Sequence, residues 1–244
     1  MAEELTQRIK ASEAQVDAFV QRLLRLMERR FSEVVAGLRG GEVASTEAAA
    51  MLGSLFEEMR TNGLDAEVAK VQAIYGDEIS YIRRTFNRAG TETPFAAADR
   101  EVLQQLITFD AERYMARLSQ SVADFKAGIM RSVLTGEKAF TSADLIGDIA
   151  DSTERSLKTE INTSLQAFSR SVTASKAAEL GYETFRYMGP DDGVTRPFCE
   201  ETLNGGDNGV YTLDEIQAMD NEQGLPVMQY GGGYNCRHRW VPVK

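Results

Sequence analysis

From residue 3 to about residue 180 the chain repeats its apolar residues at steps of three and four, a period that fits helix and little else. Val16, Phe19, Val20, Leu23, Met27, Phe31, Val34 and Leu38 fall along one stripe, while Gln21, Arg25, Glu28 and Ser32 take the other side. Gly40 or Gly41 in GLRGGE can adopt the left-handed cap that ends this first helix. A second helical stretch is expected after Ser45 or Thr46, with Asn62-Gly63 as its stop signal, and a third over roughly Leu64 to Arg88. TETPF opens a fourth, with Thr93 placed to cap and Pro94 at the first helical position, running to about Leu134.

The last long helix follows TGEKAFTSAD. Ile146, Leu157 and Phe168, and likewise Ala150, Ile161 and Val172, are spaced by eleven, which keeps contacts on one side of a nearly straight helix. Helices of this length need neighbours, because an isolated helix gains little from propensity and must bury its apolar stripe. The pattern therefore predicts a mainly α protein: an extended bundle of long helices, with other subunits as possible packing partners.

After AAELGYE the pattern changes. Residues 181–244 hold four of the five prolines and half of the glycines, with short β-favouring runs in YETFRYM, GVYTL and RWVPV. Thr212 to Glu215, TLDE, has the capping-box form that opens a short helix. This predicts a small α+β module of short strands and loops, and sets a boundary between a helical region, 1–180, and a C-terminal module, 181–244.

Net charge at neutral pH is −10 over 244 residues, so the overall field repels phosphate backbones and anionic membrane surfaces. Arg25, Arg29 and Arg30 form a local basic patch, which reads as a solvated helix face; DNA contact is open to them but not favoured by the charge balance. The start, MAEELTQRIKASE, is charged from residue 3 and has no apolar core of a secretion signal, and no apolar run reaches membrane-spanning length. The expectation is a protein that stays in a cytoplasm, where its two cysteines are thiols or metal ligands.

The rare chemistry lies in the tail. GPDDGVTRPFC, 189–199, and GGGYNCRHRW, 231–240, each bring a cysteine, an arginine and turn-forming residues, and the second holds the single histidine and the single tryptophan. If FRYM and RWVPV pair as neighbouring strands, the cysteines come close. Cys199, Cys236 and His238 then admit three outcomes: a metal site such as a structural zinc, a disulfide between the cysteines, or buried thiols acting as small hydrophobes. A structural zinc wants four ligands, and Asp191, Asp192, Glu200 or a water would supply the fourth. A cysteine nucleophile would need a base within reach of the thiol, and no established pair stands in the sequence. Arg196 or Arg237 is placed to hold the Asp191-Asp192-Gly193 turn through paired bonds to carboxylate or carbonyls.

Three ordered segments, LKTEINTSLQAFSRSV at 157–172, DDGVTRPFC at 191–199 and GGYNCRHRWVPV at 232–243, resemble the Mu F-like phage head morphogenesis family of minor head proteins. The resemblance covers roughly residues 155–244. It rests on Lys158, Thr159 and Glu160 for the family's Arg-Thr-Glu-like helix, on Asp192, Thr195, Arg196 and Cys199 for its Asp-x-x-Thr-Arg-x-x-Cys segment, and on Asn235, Cys236, Arg237 and His238 followed by the apolar strand from Trp240. Gly233 stands where that family often has a histidine, and Lys158 where it has an arginine. The resemblance implies a non-enzymatic structural protein of a tailed-phage head, made in host cytoplasm, assembled near the portal and retained in the virion. Its implied partners are portal or major capsid subunits and copies of itself, with no membrane. A small metal-dependent enzyme or toxin-like domain carried on a helical adaptor is the other class that the tail residues allow.

Overall fold

In the computed structural model, which describes residues 2–39, 45–88, 97–135 and 142–243, the described part of the periodic region is almost all helix. Helix α1, Ala2–Arg39, buries Val16, Phe19, Val20, Leu23, Met27, Phe31 and Val34 and leaves Leu38 half-buried. The expected caps at Gly40 or Gly41, at Thr93 and at Pro94 lie outside the described residues. Next come α2, Ser45–Gly53, and α3, Leu55–Met59, then one π-helical turn, Arg60–Leu64, and then α4, Asp65–Ala69, and α5, Val71–Arg88.

Asn62-Gly63 bends the chain there but does not end its helical course. Gly63 takes φ 114°, which an L side chain resists, and Asn62 Nδ2 donates to the Glu58 carbonyl at 2.7 Å, satisfying a group that the bend releases. Apolar residues on both sides of the bend, Leu55, Met59, Leu64 and Val68, remain buried, and that packing keeps helix going beyond a local stop signal.

Helices α6, Ala97–Thr135, and α7, Ser142–Glu179, are the other two long elements. Five of the six residues spaced by eleven on α7 are buried: Ala150, Leu157, Ile161, Phe168 and Val172. Two hydrogen bonds then end the helix, Tyr182 N–H to the Ala177 carbonyl at 2.9 Å and Gly181 N–H to the Ala178 carbonyl at 3.1 Å. With Gly181 left-handed at φ 71° and Tyr182 buried just beyond it, this is a Schellman ending, and it turns the chain from helix into sheet.

The tail carries β1, Thr184–Met188; α8, Pro197–Asn204; β2, Val210–Thr212; α9, Leu213–Ala218; α10, Val227–Tyr230; and β3, Arg239–Val243. The three strands fall in the runs expected from sequence and form one antiparallel sheet in the order β2-β1-β3. Tyr187 stands opposite Trp240 and Phe185 opposite Pro242, so the proline that cannot donate lies on an outer strand. The capping box of α9 is complete: Thr212 Oγ1 accepts from Glu215 N–H, and Glu215 Oε2 accepts from Thr212 N–H at 2.7 Å.

By contacts the chain forms two units. One takes in Met1–Val16, Ala73–Ile107 and Thr159–Lys244; the other takes in Asp17–Gln72 and Thr108–Lys158. In the first, Tyr75 meets Phe168 edge-on with ring centroids 4.8 Å apart. In the second, Phe31 and Phe125 stack at 3.9 Å, and Arg30 of the basic patch is bound by Glu33 and Glu58. The module after residue 180 therefore shares its unit with parts of four helices, α1, α5, α6 and the last twenty or so residues of α7.

Candidate metal centre in the tail

Strand β1 brings Tyr187 beneath the site, and pairing with β3 brings in the segment just before Arg239. Helix α8 opens with Pro197 at a first-turn position, where its missing N–H costs nothing, and its inner face buries Cys199 and Thr202 three residues apart. Before β3, the turn through Gly231, Gly232 and Gly233 delivers Cys236 and His238. Cys199 Sγ and Cys236 Sγ stand 3.8 Å apart as free thiols, and His238 Nδ1 lies 3.9 Å from Cys236 Sγ. All three are buried, and one donor atom from each falls within 4.8 Å of the others. Such a group can hold a metal ion: two sulfurs each about 2.3 Å from one ion stand about 3.8 Å apart at a tetrahedral angle.

Tyr187 completes the cluster. Its hydroxyl lies 3.2 Å from Cys236 Sγ and 3.4 Å from Cys199 Sγ, and its ring stacks on His238 with centroids 5.1 Å apart. Of the acids considered as a fourth ligand, Asp191, Asp192 and Glu200 are exposed, and none joins the group found among the described residues.

The thiols are electrically unequal. A hydrogen bond from Cys199 holds the Cys236 thiol well below the usual thiol range; burial opposes this, while the Arg170 guanidinium, His238 and Tyr187 reinforce it. The same bond, with burial, pushes Cys199 far up, so the first proton leaves this pair from Cys236. Burial, then the charges of Cys236 and Cys199, raise the Tyr187 phenol, which stays a hydroxyl able to donate to sulfur.

Arg170 on α7 is the hub beneath. It is 2% exposed, and its guanidinium donates from Nη1 to the Gln229 carbonyl at 2.9 Å, from Nη2 to the Cys236 carbonyl at 2.7 Å, and from Nε to the His238 carbonyl at 2.8 Å. Thr163 Oγ1 accepts from Asn235 N–H at 3.0 Å, and Thr159 Oγ1 accepts from Asn235 Nδ2 at 3.1 Å. Around the rim, Arg237 grips Asp192 with two parallel bonds of 2.8 and 2.5 Å, and Arg196 donates to the Gly232 carbonyl at 3.0 Å. Thr195 Oγ1 accepts from Asp192 N–H at 2.9 Å and closes the turn. Trp240 donates to the Val227 carbonyl at 3.1 Å and packs on Tyr187. Lys158 is not brought here; it pairs with Asp17 and Glu154 in the other unit. Glu160 is half-buried on α7 and Asp191 is exposed in the turn.

Sequence reasoning passed over Arg170, Tyr187 and Asn221. Arg170 had a signal: residues 161–169 carry no charge, so that stretch of α7 is fit to be buried all round, and an arginine closing it needs buried partners. Asn221, also buried, donates to the Gly231 and Leu225 carbonyls at 2.8 and 3.0 Å and pins the glycine turn; nothing in its local sequence marks it.

Two tests follow from these contacts. A methyl group at Gly232 would lie well inside contact with Cys199 Sγ and 3.2 Å from the Phe198 ring, so Gly232→Ala is expected to lower unfolding stability by about 2 kcal/mol in chemical denaturation. The Arg237 guanidinium, opposed by burial and helped by Val194 N–H and Thr195, lowers the Asp192 carboxyl from 3.8 to about 2. A carboxyl-carbon NMR titration should find that midpoint, and Arg237→Gln should move it most of the way back to 3.8.

No protein-family model, no curated protein and no solved structure matches the chain.

Proposed function

We propose that the protein is a minor head protein of a tailed phage, acting in procapsid assembly as a structural, non-enzymatic adaptor near the portal and carried in the virion. One observation carries the reading. The three segments on which the resemblance to the Mu F-like family rests, although spread over some 85 residues, bond directly to one another: Thr159, Thr163 and Arg170 to the Asn235–His238 backbone and side chains, Arg237 to Asp192, and Cys199 to Cys236. Motif residues that converge on one locked module are what an anchoring domain needs.

The long helices supply the docking part. Val102, Leu106 and Phe109, at i, i+4 and i+7 on α6, stand exposed, the kind of apolar stripe that subunit contacts cover. Within the tail, burial of Cys199, Cys236 and His238 leaves no open face for a substrate, which favours a fastening role over a metal-dependent enzyme. The cluster is proposed as the point where a bound ion can close the module.

The test is co-purification during head assembly. Tagged protein drawn from cells assembling a tailed phage should bring down portal or major capsid protein, and purified heads should contain it. Heads that lack the protein, with neither subunit retained on the tag, would defeat the proposal.

A further inference from the structure

We infer that Cys199, Cys236 and His238 form a three-coordinate site for a soft monovalent cation, the cuprous ion in a reducing compartment, in preference to zinc. The inference rests on the metal-holding reading of this cluster and adds the class of ion. Distance does not choose between them, because sulfurs about 2.3 Å from an ion stand about 3.8 Å apart at a tetrahedral angle and about 4.0 Å apart at a trigonal one. Donor count and charge do choose.

Zinc seeks four donors. Among the described residues the cluster offers three, and the fourth position has no carboxylate: Asp192 is held by Arg237, and Asp191 and Glu200 face solvent. Gly233 turns away on its own loop, where the Gln223 side chain fills the space that a side chain there would take. Tyr187 lies within hydrogen-bond reach of both sulfurs, but burial keeps it a protonated hydroxyl and no phenolate ligand. Three buried soft donors without a fourth suit a closed-shell monovalent ion that accepts trigonal coordination. His238 Nε2, deep in the protein, has no hydrogen-bond partner among the described residues, so no oxygen acceptor competes to hold the ring in another role.

Charge points the same way. Arg170 is buried beside Cys236, and among the described residues its hydrogen bonds go to carbonyls, with no carboxylate among them. Two thiolates and a monovalent ion carry a net charge of minus one, which the guanidinium cancels. Two thiolates and a divalent ion are neutral and leave the guanidinium as a bare buried positive charge, which is costly. Loading the site forms two sulfur–metal bonds and one nitrogen–metal bond, and the protons still on the thiols pass to solvent.

The experiment uses the reduced full-length chain under anaerobic conditions. Cu(I) is supplied as its acetonitrile complex against a chromophoric chelator, and Zn(II) against a zinc indicator. The expected result is one Cu(I) per chain with two sulfur and one nitrogen neighbours in X-ray absorption, lost in Cys199→Ser and in Cys236→Ser. Arg170→Gln removes the compensating charge and should shift the Cu(I)-to-Zn(II) affinity ratio toward zinc by roughly a hundredfold. Circular dichroism checks its fold, and the two serine variants keep the test decisive should that variant unfold. One four-coordinate zinc per chain that Cu(I) does not displace would overturn the monovalent assignment and leave the metal reading standing. No bound ion of either kind would overturn both, without touching the proposed role in head assembly.

Discussion

Replacing Arg170 with glutamine is expected to release the tail while leaving most helix intact. The guanidinium satisfies the carbonyls of Gln229, Cys236 and His238, all drawn from the segment that carries the cluster, and a glutamine amide can reach only some of them. Hydrogen bonds from a charged donor are worth about 1.5–3 kcal/mol each, and buried carbonyls left unpaired add their own cost, so a loss on the order of 4 kcal/mol is expected. Limited proteolysis should then cut after residue 181 at protease levels that leave the native chain whole. Far-UV circular dichroism should fall only slightly, since the long helices lie earlier in the chain. A tail that stays protease-resistant in this variant would show that the sheet and Trp240 hold it without the arginine.

The second large effect is expected at Glu78, where α1, α5, α7 and β3 share one buried ion cluster. Glu78 is fully buried; Arg239 Nη1 donates to it at 2.5 Å, Arg8 at 3.1 Å and Ser169 Oγ at 2.8 Å. Glu78→Gln leaves Arg239, 4% exposed, without its carboxylate, a change that typically costs about 3–5 kcal/mol. The pH dependence has a definite sign. Burial works to raise the Glu78 carboxyl, but the charges of Arg239 and Arg8, with hydrogen bonds from Arg239 and Ser169, hold it below its ordinary 4.5. A carboxyl depressed in the folded state stabilises fully above its ordinary value and loses that contribution as pH falls through the folded one. The stability gap between wild type and Glu78→Gln should therefore be widest near neutrality and shrink as pH drops below about 4.5 in urea titrations. A gap that is constant down to strong acid would contradict this account.

What could be read from the sequence depended on how local the cause was. The stripe from Val16 to Val34, the strands in YETFRYM and RWVPV and the capping box at Thr212 are set by residues a few positions apart, and the structure has them where the pattern puts them. Asn62-Gly63 was legible only as an interruption. A helix stop and a helix bend share the same local signal, and the buried residues on either side made it a bend. Short helices α8 and α10 gave less warning, because eight and four residues carry too little periodicity to register.

The site divides along the same line. Cys199, Cys236 and His238 stood out by rarity, and strand pairing was enough to bring the sulfurs together on paper. Arg170 and Glu78 did not stand out, because their partners lie 59 to 68 and up to 161 residues away and only the tertiary fold reveals them. An arginine on a long helix looks like any solvated charge until its acceptors are known. The bidentate grip of Arg237 on Asp192 lies between these cases: turn chemistry marked the acid, and geometry chose which arginine held it.

The measurement that bears most directly on the whole account is residue-level hydrogen exchange of the full chain in rising denaturant. If α7 and the tail are fastened through Arg170, Thr163 and the thiol cluster, the amide of Cys236, the amides of β3 and those of α7 from Ile161 to Arg170 should lose protection together, as one cooperative unit. Tail amides that open at far lower denaturant, while this stretch of α7 stays protected, would mean that no such fastening exists.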